Sequence, residues 1–220
     1  MMHTSPRRSA TAAVVASLAL VLAAAPTWAS EPSAPQPYAH KMSDPAGSYR
    51  VDPDHSGVQF TLGHAGVGRF TGVFKSVTGT YTFDPADPAK DQADIVIPVK
   101  SLDTFLPQRD TDLLATPFFD AAAHPDIRFV STRYVPQDKT HGKLYGNLTL
   151  RGVTHPVTFD VKLIGAGDVP YLPKPWGGYL SGFVATATIN RMDFGMTAFA
   201  AGLGHDVAVR VEVEGVRSTS

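Results

Sequence analysis

The sequence predicts an all-β fold, an antiparallel sheet of about eight strands closed into an extended barrel with one short helical segment as a lid. Two observations carry this. Between Ile127 and Leu163 three runs alternate apolar and polar side chains with period two and are joined by short connections, as in an antiparallel meander with one buried face. No segment of the domain offers a long amphipathic helix to cover that face, so the sheet must close or pair.

Residues 1–29 read as a secretory signal peptide: Arg7-Arg8, an apolar run from about Ala12 to Ala25 that is too short to span a membrane, and small residues at Thr27 and Ala29 before Ser30. Export follows. The apolar pair usual after a twin arginine is missing, which favours the general secretion route, and in a Gram-negative cell the destination is the periplasm. With no cysteine to carry a lipid anchor, the cleaved protein is expected to be soluble. Residues 30–47, rich in Pro, Ala and Ser, read as a flexible tether, and residues 48–217 as the folded domain.

Tyr49-Arg50-Val51 is a brief strand, and Val58, Phe60, Leu62 and His64 alternate in a second. Gly66 to Gly72 bends the chain, which returns as strand from Val73 to Phe83. A surface turn over Asp84 to Pro88 leads to a strand from Asp94 to Lys100, where Pro98 argues for an edge or a bulge. From Ser101 to Pro125 the period changes: Thr111 to Ala115 can form a helical turn or two, which Pro117-Phe118-Phe119-Asp120 ends. Ile127 to Val135 and Lys143 to Arg151 are strands, Gly152 to His155 a turn, and Val157 to Leu163 the third strand of the meander. Gly165 to Gly178 reads as a loop with three prolines and Trp176. Tyr179 to Asn190 and Asp206 to Gly215 complete the domain, with Val207, Val209, Val211 and Val213 facing inward.

At 220 residues, 43% of them hydrophobic, the chain fits one domain with a sizeable core. The absence of Cys removes disulfides, thiolate metal sites and a Cys nucleophile. The formal charge is −1, and a leader carrying two arginines and no acid leaves −3 on removal, with no basic run, so nucleic acid is excluded as a partner.

A barrel of this size holds either packed side chains or one slender ligand. Gly79, Gly146, Gly182, Ala185 and Ala187 lie beside aromatic inward positions and leave room, yet a filled core remains the alternative. The candidate wall is Phe60, Leu62, Phe70, Phe74, Tyr81, Phe118, Phe119, Phe129, Phe159 and Phe183, whose other reading is ordinary core.

Ordered motifs resemble the YceI-like family. They are Tyr49-Arg50-Val51-Asp52 with His55-Ser56 and Phe60; His64 with Gly72 and Phe74; Ser101-Leu102-Asp103-Thr104 with Arg109-Asp110, Leu113 and Phe118-Phe119-Asp120; His124 to Phe129 with Ser131-Thr132; Gly146 to Thr154; and Asn190 to Met196. The likeness runs from Ser48 to Val216. It implies a lipocalin-like barrel whose tunnel takes a polyisoprenoid, such as an isoprenoid quinone or a prenyl pyrophosphate, or in some members fatty amides or acids. It also favours a homodimer through a paired edge strand. Two departures from the family pattern, Phe105-Leu106-Pro107 and Pro117, fall in the lid and bear on ligand length and mouth shape.

Arg109-Asp110 and Arg191 with Asp193 can hold a polar head group, since guanidinium forks suit carbonyl or phosphate oxygens. The other reading is a structural ion pair tying the lid to the barrel, favoured for Arg109-Asp110. His55, His64 and His205-Asp206 are the candidates for a zinc or catalytic cluster, but no His-Glu-x-x-His spacing supports one, and no nucleophile elbow surrounds Ser56. Two functions follow. The favoured one is a non-enzymatic lipid carrier without cofactor or metal, with Ser101 to Asp120 gating entry; the alternative is a hydrolase acting on a lipid head group through histidines near the mouth.

Overall fold

The alternation read from the sequence decides which faces point inward. In the strand His141–Leu150, for example, Gly142, Leu144, Gly146, Leu148 and Leu150 turn to the interior while Asn147 stays outside. The structure, a computed structural model, describes residues 44–218; the leader read over 1–29 and tether residues 30–43 lie outside the described residues. The strands are β1 (Gly47–Val51), β2 (Gly57–His64), β3 (Gly68–Phe74), β4 (Thr78–Phe83), β5 (Gln92–Pro98), β6 (Leu102–Asp103), β7 (Asp126–Pro136), β8 (His141–Leu150), β9 (Val153–Val169), β10 (Gly178–Asn190) and β11 (Leu203–Arg217), with one α-helix, α1 (Pro107–Leu114).

Eight of these, in the order β1-β4-β5-β7-β8-β9-β10-β11, form an antiparallel ring that β11 closes by pairing back onto β1, with Val51 opposite Gly215 and Tyr49 opposite Arg217. The expected barrel is therefore present. The other three strands form a flap. Because β11 runs for 15 residues, its last residues hold β1 while Val207 to Glu212 hold β2, and β3 and β6 continue outward from β2.

Several boundaries differ from the sequence reading. The run from Val73 to Phe83 is broken, since β3 ends at Phe74 and the chain crosses from flap to ring, with Val77 fully buried and the Lys75 N–H bonded to the Ser101 carbonyl. Pro98 is neither on an edge nor at a bulge: β5 lies between β4 and β7, and Pro98 is its last residue, before a 3-10 turn over Val99–Ser101. The turn read at Gly152 to His155 shrinks to Arg151-Gly152, both at positive φ (54° and 73°), which suits a tight hairpin. The loop read from Gly165 starts only after Val169, because β9 continues to pair with β10 as far as Gly178. α1 begins at Pro107 rather than Thr111, with proline in the first turn, where its missing N–H costs nothing. Residues 44–47 belong to the barrel and not to the tether: the Tyr49 hydroxyl donates to the Pro45 carbonyl (2.5 Å) and Arg217 to that of Asp44 (2.7 Å).

Candidate functional site

The interior is not filled. A cavity of about 250 Å³ is enclosed by ring, flap and lid segment together, and all ten residues of the candidate wall line it: Phe60, Leu62, Phe70, Phe74, Tyr81, Phe118, Phe119, Phe129, Phe159 and Phe183. They are joined by Ile95, Ile97, Leu148, Val161, Ala185 and the four inward valines of β11. The rings brace one another along the walls and leave the axis open. Phe74 meets Phe119 edge-on at 5.5 Å, Phe129 meets Phe159 at 5.2 Å, and Phe183 takes the edges of both Tyr81 and Phe83 at 5.6 and 5.1 Å. Gly146 makes part of this room, because the Phe129 ring packs against it where a Cβ would sit 2.3 Å from the ring's Cζ. Gly79 does not: a Cβ there would meet the Asp94 carbonyl oxygen at 2.1 Å, so it serves the close approach of β4 to β5.

At one end the cavity is closed by the lid segment, with Leu113, Phe118 and Phe119 pointing in. Arg109 and Asp110 anchor that segment, but not as an ion pair. Both converge on Thr104, which is fully buried: Asp110 Oδ1 accepts from the Thr104 N–H (2.8 Å) and hydroxyl (2.5 Å), while Arg109 donates to that hydroxyl (2.8 Å) and to the Thr104 carbonyl (2.5 Å). The Arg109 guanidinium also lies 4.8 Å over the Phe70 ring. Arg151, from the β8–β9 turn, holds the far side of the lid through the Thr116 carbonyl (2.9 Å). Phe105 and Leu106 face solvent and do not line the mouth.

Arg191 also stands at this end, 3% exposed and lining the cavity. It donates to the carbonyls of Gly204 (2.9 Å), Ala198 (3.0 Å), Leu203 (3.1 Å) and Met196, and burial pulls its pKa below the usual value. With those donors taken it is a staple for the 196–204 loop and has little left for a head group. Asp193 is exposed and does not join it.

The opposite end carries polar residues that the sequence reading passed over, Thr82, Gln92, Asp91 and Tyr134, the last two of them titratable. Asp91 lines the cavity at 7% exposure; its Oδ1 accepts from the Asp84 N–H (2.7 Å), and burial pushes its pKa up to about 6. Tyr134 lines the same region, its phenol raised by burial and then by the neighbouring Asp91 charge. It points inward because β7 shifts register against β8 between Ser131 and Arg133, which moves the inward face from Phe129 to Tyr134. Neither residue carries a sequence signal, since Asp91 sits in an acidic turn and Tyr134 is out of phase with Ile127 and Phe129.

The histidines do not gather. His64 ends β2 opposite Leu203, near His205, whose Nε2 is bonded to the Ala200 carbonyl, while His55 precedes β2 at its other end. His55 instead meets Asp52 (2.9 Å) and Glu214 (3.8 Å). These three place their ligand atoms within 4.8 Å of one another and are the described residues that can hold a metal ion. Asp52 already accepts from the Asp54 N–H (3.0 Å) and from His55, so the group closes a turn.

The YceI-like domain model matches residues 49–215. The chain belongs to the YceI-like family. A UPF0312 protein of Serratia proteamaculans is 39% identical over 178 residues, 79% of this chain and 88% of that protein. Protein YceI of Salmonella arizonae is 37% identical over 174 residues, 78% of this chain and 88% of its own. Among solved structures, the Campylobacter jejuni YceI protein matches with a TM-score of 0.59 at 30% identity, covering 68% of this chain and 85% of that one. A polyisoprenoid binding domain from Saccharophagus degradans shares the fold, with a TM-score of 0.55 at 13% identity over 77% of this chain and 98% of that domain.

Proposed function

We propose that this protein is a periplasmic carrier that encloses one polyisoprenoid or similar long apolar chain in its barrel, for transport, storage or sequestration, and that it is not an enzyme. The observation that carries the proposal is the apolar cavity enclosed by ring, flap and lid, whose few polar lining residues stand at its ends. Each CH₂-sized group taken out of water contributes about 0.8 kcal/mol, so such a wall binds without a charged clamp. About 250 Å³ is just below the range of roughly 300–1,000 Å³ usual for ligand pockets, which suits one slender chain. The Saccharophagus degradans domain of the same fold is named for polyisoprenoid binding, which supports the same class of ligand. The segment 101–120, hinged between its Thr104 anchor and the Arg151 contact, is the gate. The leader sequence supports the periplasm.

The test is mass spectrometry of an organic extract of the protein, purified from its native cells without detergent. A stoichiometric isoprenoid is expected; an empty barrel that also refuses added prenyl lipids rejects the carrier.

A further inference from the structure

The cavity has two polar ends, and they differ in what they can offer a ligand. At the lid end the cation is Arg191, already donating to four backbone carbonyls. At the other end stand Asp91 and Tyr134. Asp91 Oδ1 is held by the Asp84 N–H, but its Oδ2 accepts no hydrogen bond among the described residues, although the side chain is 93% buried and lines the cavity. The Tyr134 hydroxyl likewise has no hydrogen-bond partner among the described residues. An accessible acceptor on a largely buried side chain and a half-buried donor, both left open beside an apolar tunnel, are a recognition pair awaiting a ligand group.

The surrounding charge limits what that group can be. Asp84 and Asp87 raise the cost of ionising Asp91, and Asp138 acts on Tyr134 in the same sense. The nearby Lys90 is engaged elsewhere, paired with Asp87 (2.8 Å). A pyrophosphate or carboxylate head brought here meets like charge. An ammonium would satisfy Asp91 and leave the Tyr134 donor unmatched. A hydroxyl serves both, donating to Asp91 Oδ2 and accepting from Tyr134.

We propose that Asp91 and Tyr134 form a head-group subsite that selects chains ending in a neutral hydroxyl, a prenyl alcohol or quinol, over their pyrophosphates. This rests on the carrier reading and names its ligand class. The test compares farnesol, farnesyl pyrophosphate and farnesane, the hydrocarbon of the same skeleton, by calorimetric titration. In the wild type farnesol is expected to bind at least tenfold more tightly than the pyrophosphate. Asp91→Asn, which keeps the acceptor for the Asp84 N–H, should strengthen pyrophosphate binding about tenfold. Tyr134→Phe should weaken farnesol three- to tenfold. Farnesane binding should be unchanged in both variants, which shows that they fold. The subsite is rejected if farnesane binds but the wild type takes the pyrophosphate as well as farnesol, or if the variants leave both affinities unmoved. If farnesane itself does not bind, the carrier reading falls and the subsite with it.

Discussion

Arg191 is a guanidinium buried without a carboxylate partner, and its surroundings explain how the fold tolerates it. Four backbone carbonyls, those of Met196, Ala198, Leu203 and Gly204, take its N–H groups and in return receive a side-chain donor. Removing it orphans those carbonyls, and each buried acceptor left unmatched costs on the order of 1–3 kcal/mol. Arg191→Met is therefore expected to lower stability by about 3 kcal/mol or more in urea melts, and Arg191→Lys to recover little, because a single ammonium cannot span the fork. A variant melting within 0.5 kcal/mol of wild type, on the order of an ordinary surface change, would remove the staple. The sequence marked Arg191 as important but gave it a head group to hold. Nothing in the Asn190 to Met196 motif shows that a loop seven to thirteen residues further on folds back over the guanidinium.

Among the elements, period two carried the reading wherever a strand kept its register. β8, and β11 from Val207 to Val213, put their inward residues where alternation placed them, and the ten wall residues all reached the cavity, whereas Gly182, at the shift between β9 and β10, did not. It failed where register shifts or the chain crosses over: the irregularity in β7 turns Tyr134 inward, and β3 and β4 proved to be two strands, one in the flap and one in the ring of the same sheet. Bulges and crossovers are set by distant partners, so a local pattern does not contain them. The β1–β2 connection shows a contact of the same kind. Asp52, 6% exposed, joins its main-chain N–H to the Glu214 carbonyl (2.8 Å) and its carboxylate to His55, whose pKa that hydrogen bond raises. A histidine with a raised folded-state pKa adds stability that is complete below its unfolded value, about 6.5, and is lost as pH rises through the higher folded value. The side chain is half exposed, so the contribution is under about 1 kcal/mol and screened by salt. The stability difference between wild type and His55→Gln should accordingly shrink from pH 6 to pH 9, as followed by denaturant midpoints; a difference that grows over that window refutes the assignment.

For the whole molecule, closure of the sheet was legible because an apolar face with no helix to cover it has few alternatives, but whether the closed interior is full or empty was not. That depends on how far rings fold onto the walls, as Phe129 does over Gly146, and on the girth of an eight-stranded ring. The emptiness is testable from inside. Ala185, on β10 between Val161 and Val211, lines the cavity, whereas the next residue, Thr186, faces solvent. In a filled core Ala185→Trp would overpack and cost about 1–3 kcal/mol. In this barrel the indole enters open space, so the variant should stay folded and lose its ligand. A ligand at a hundredfold excess over its Kd stabilises wild type by about 2.7 kcal/mol. With farnesol as the probe, that gain should appear as a raised melting temperature in wild type and in Thr186→Trp and vanish in Ala185→Trp. If Ala185→Trp unfolds, the interior is already occupied by its own side chains; if it folds and still responds to farnesol, the chain binds somewhere other than the barrel.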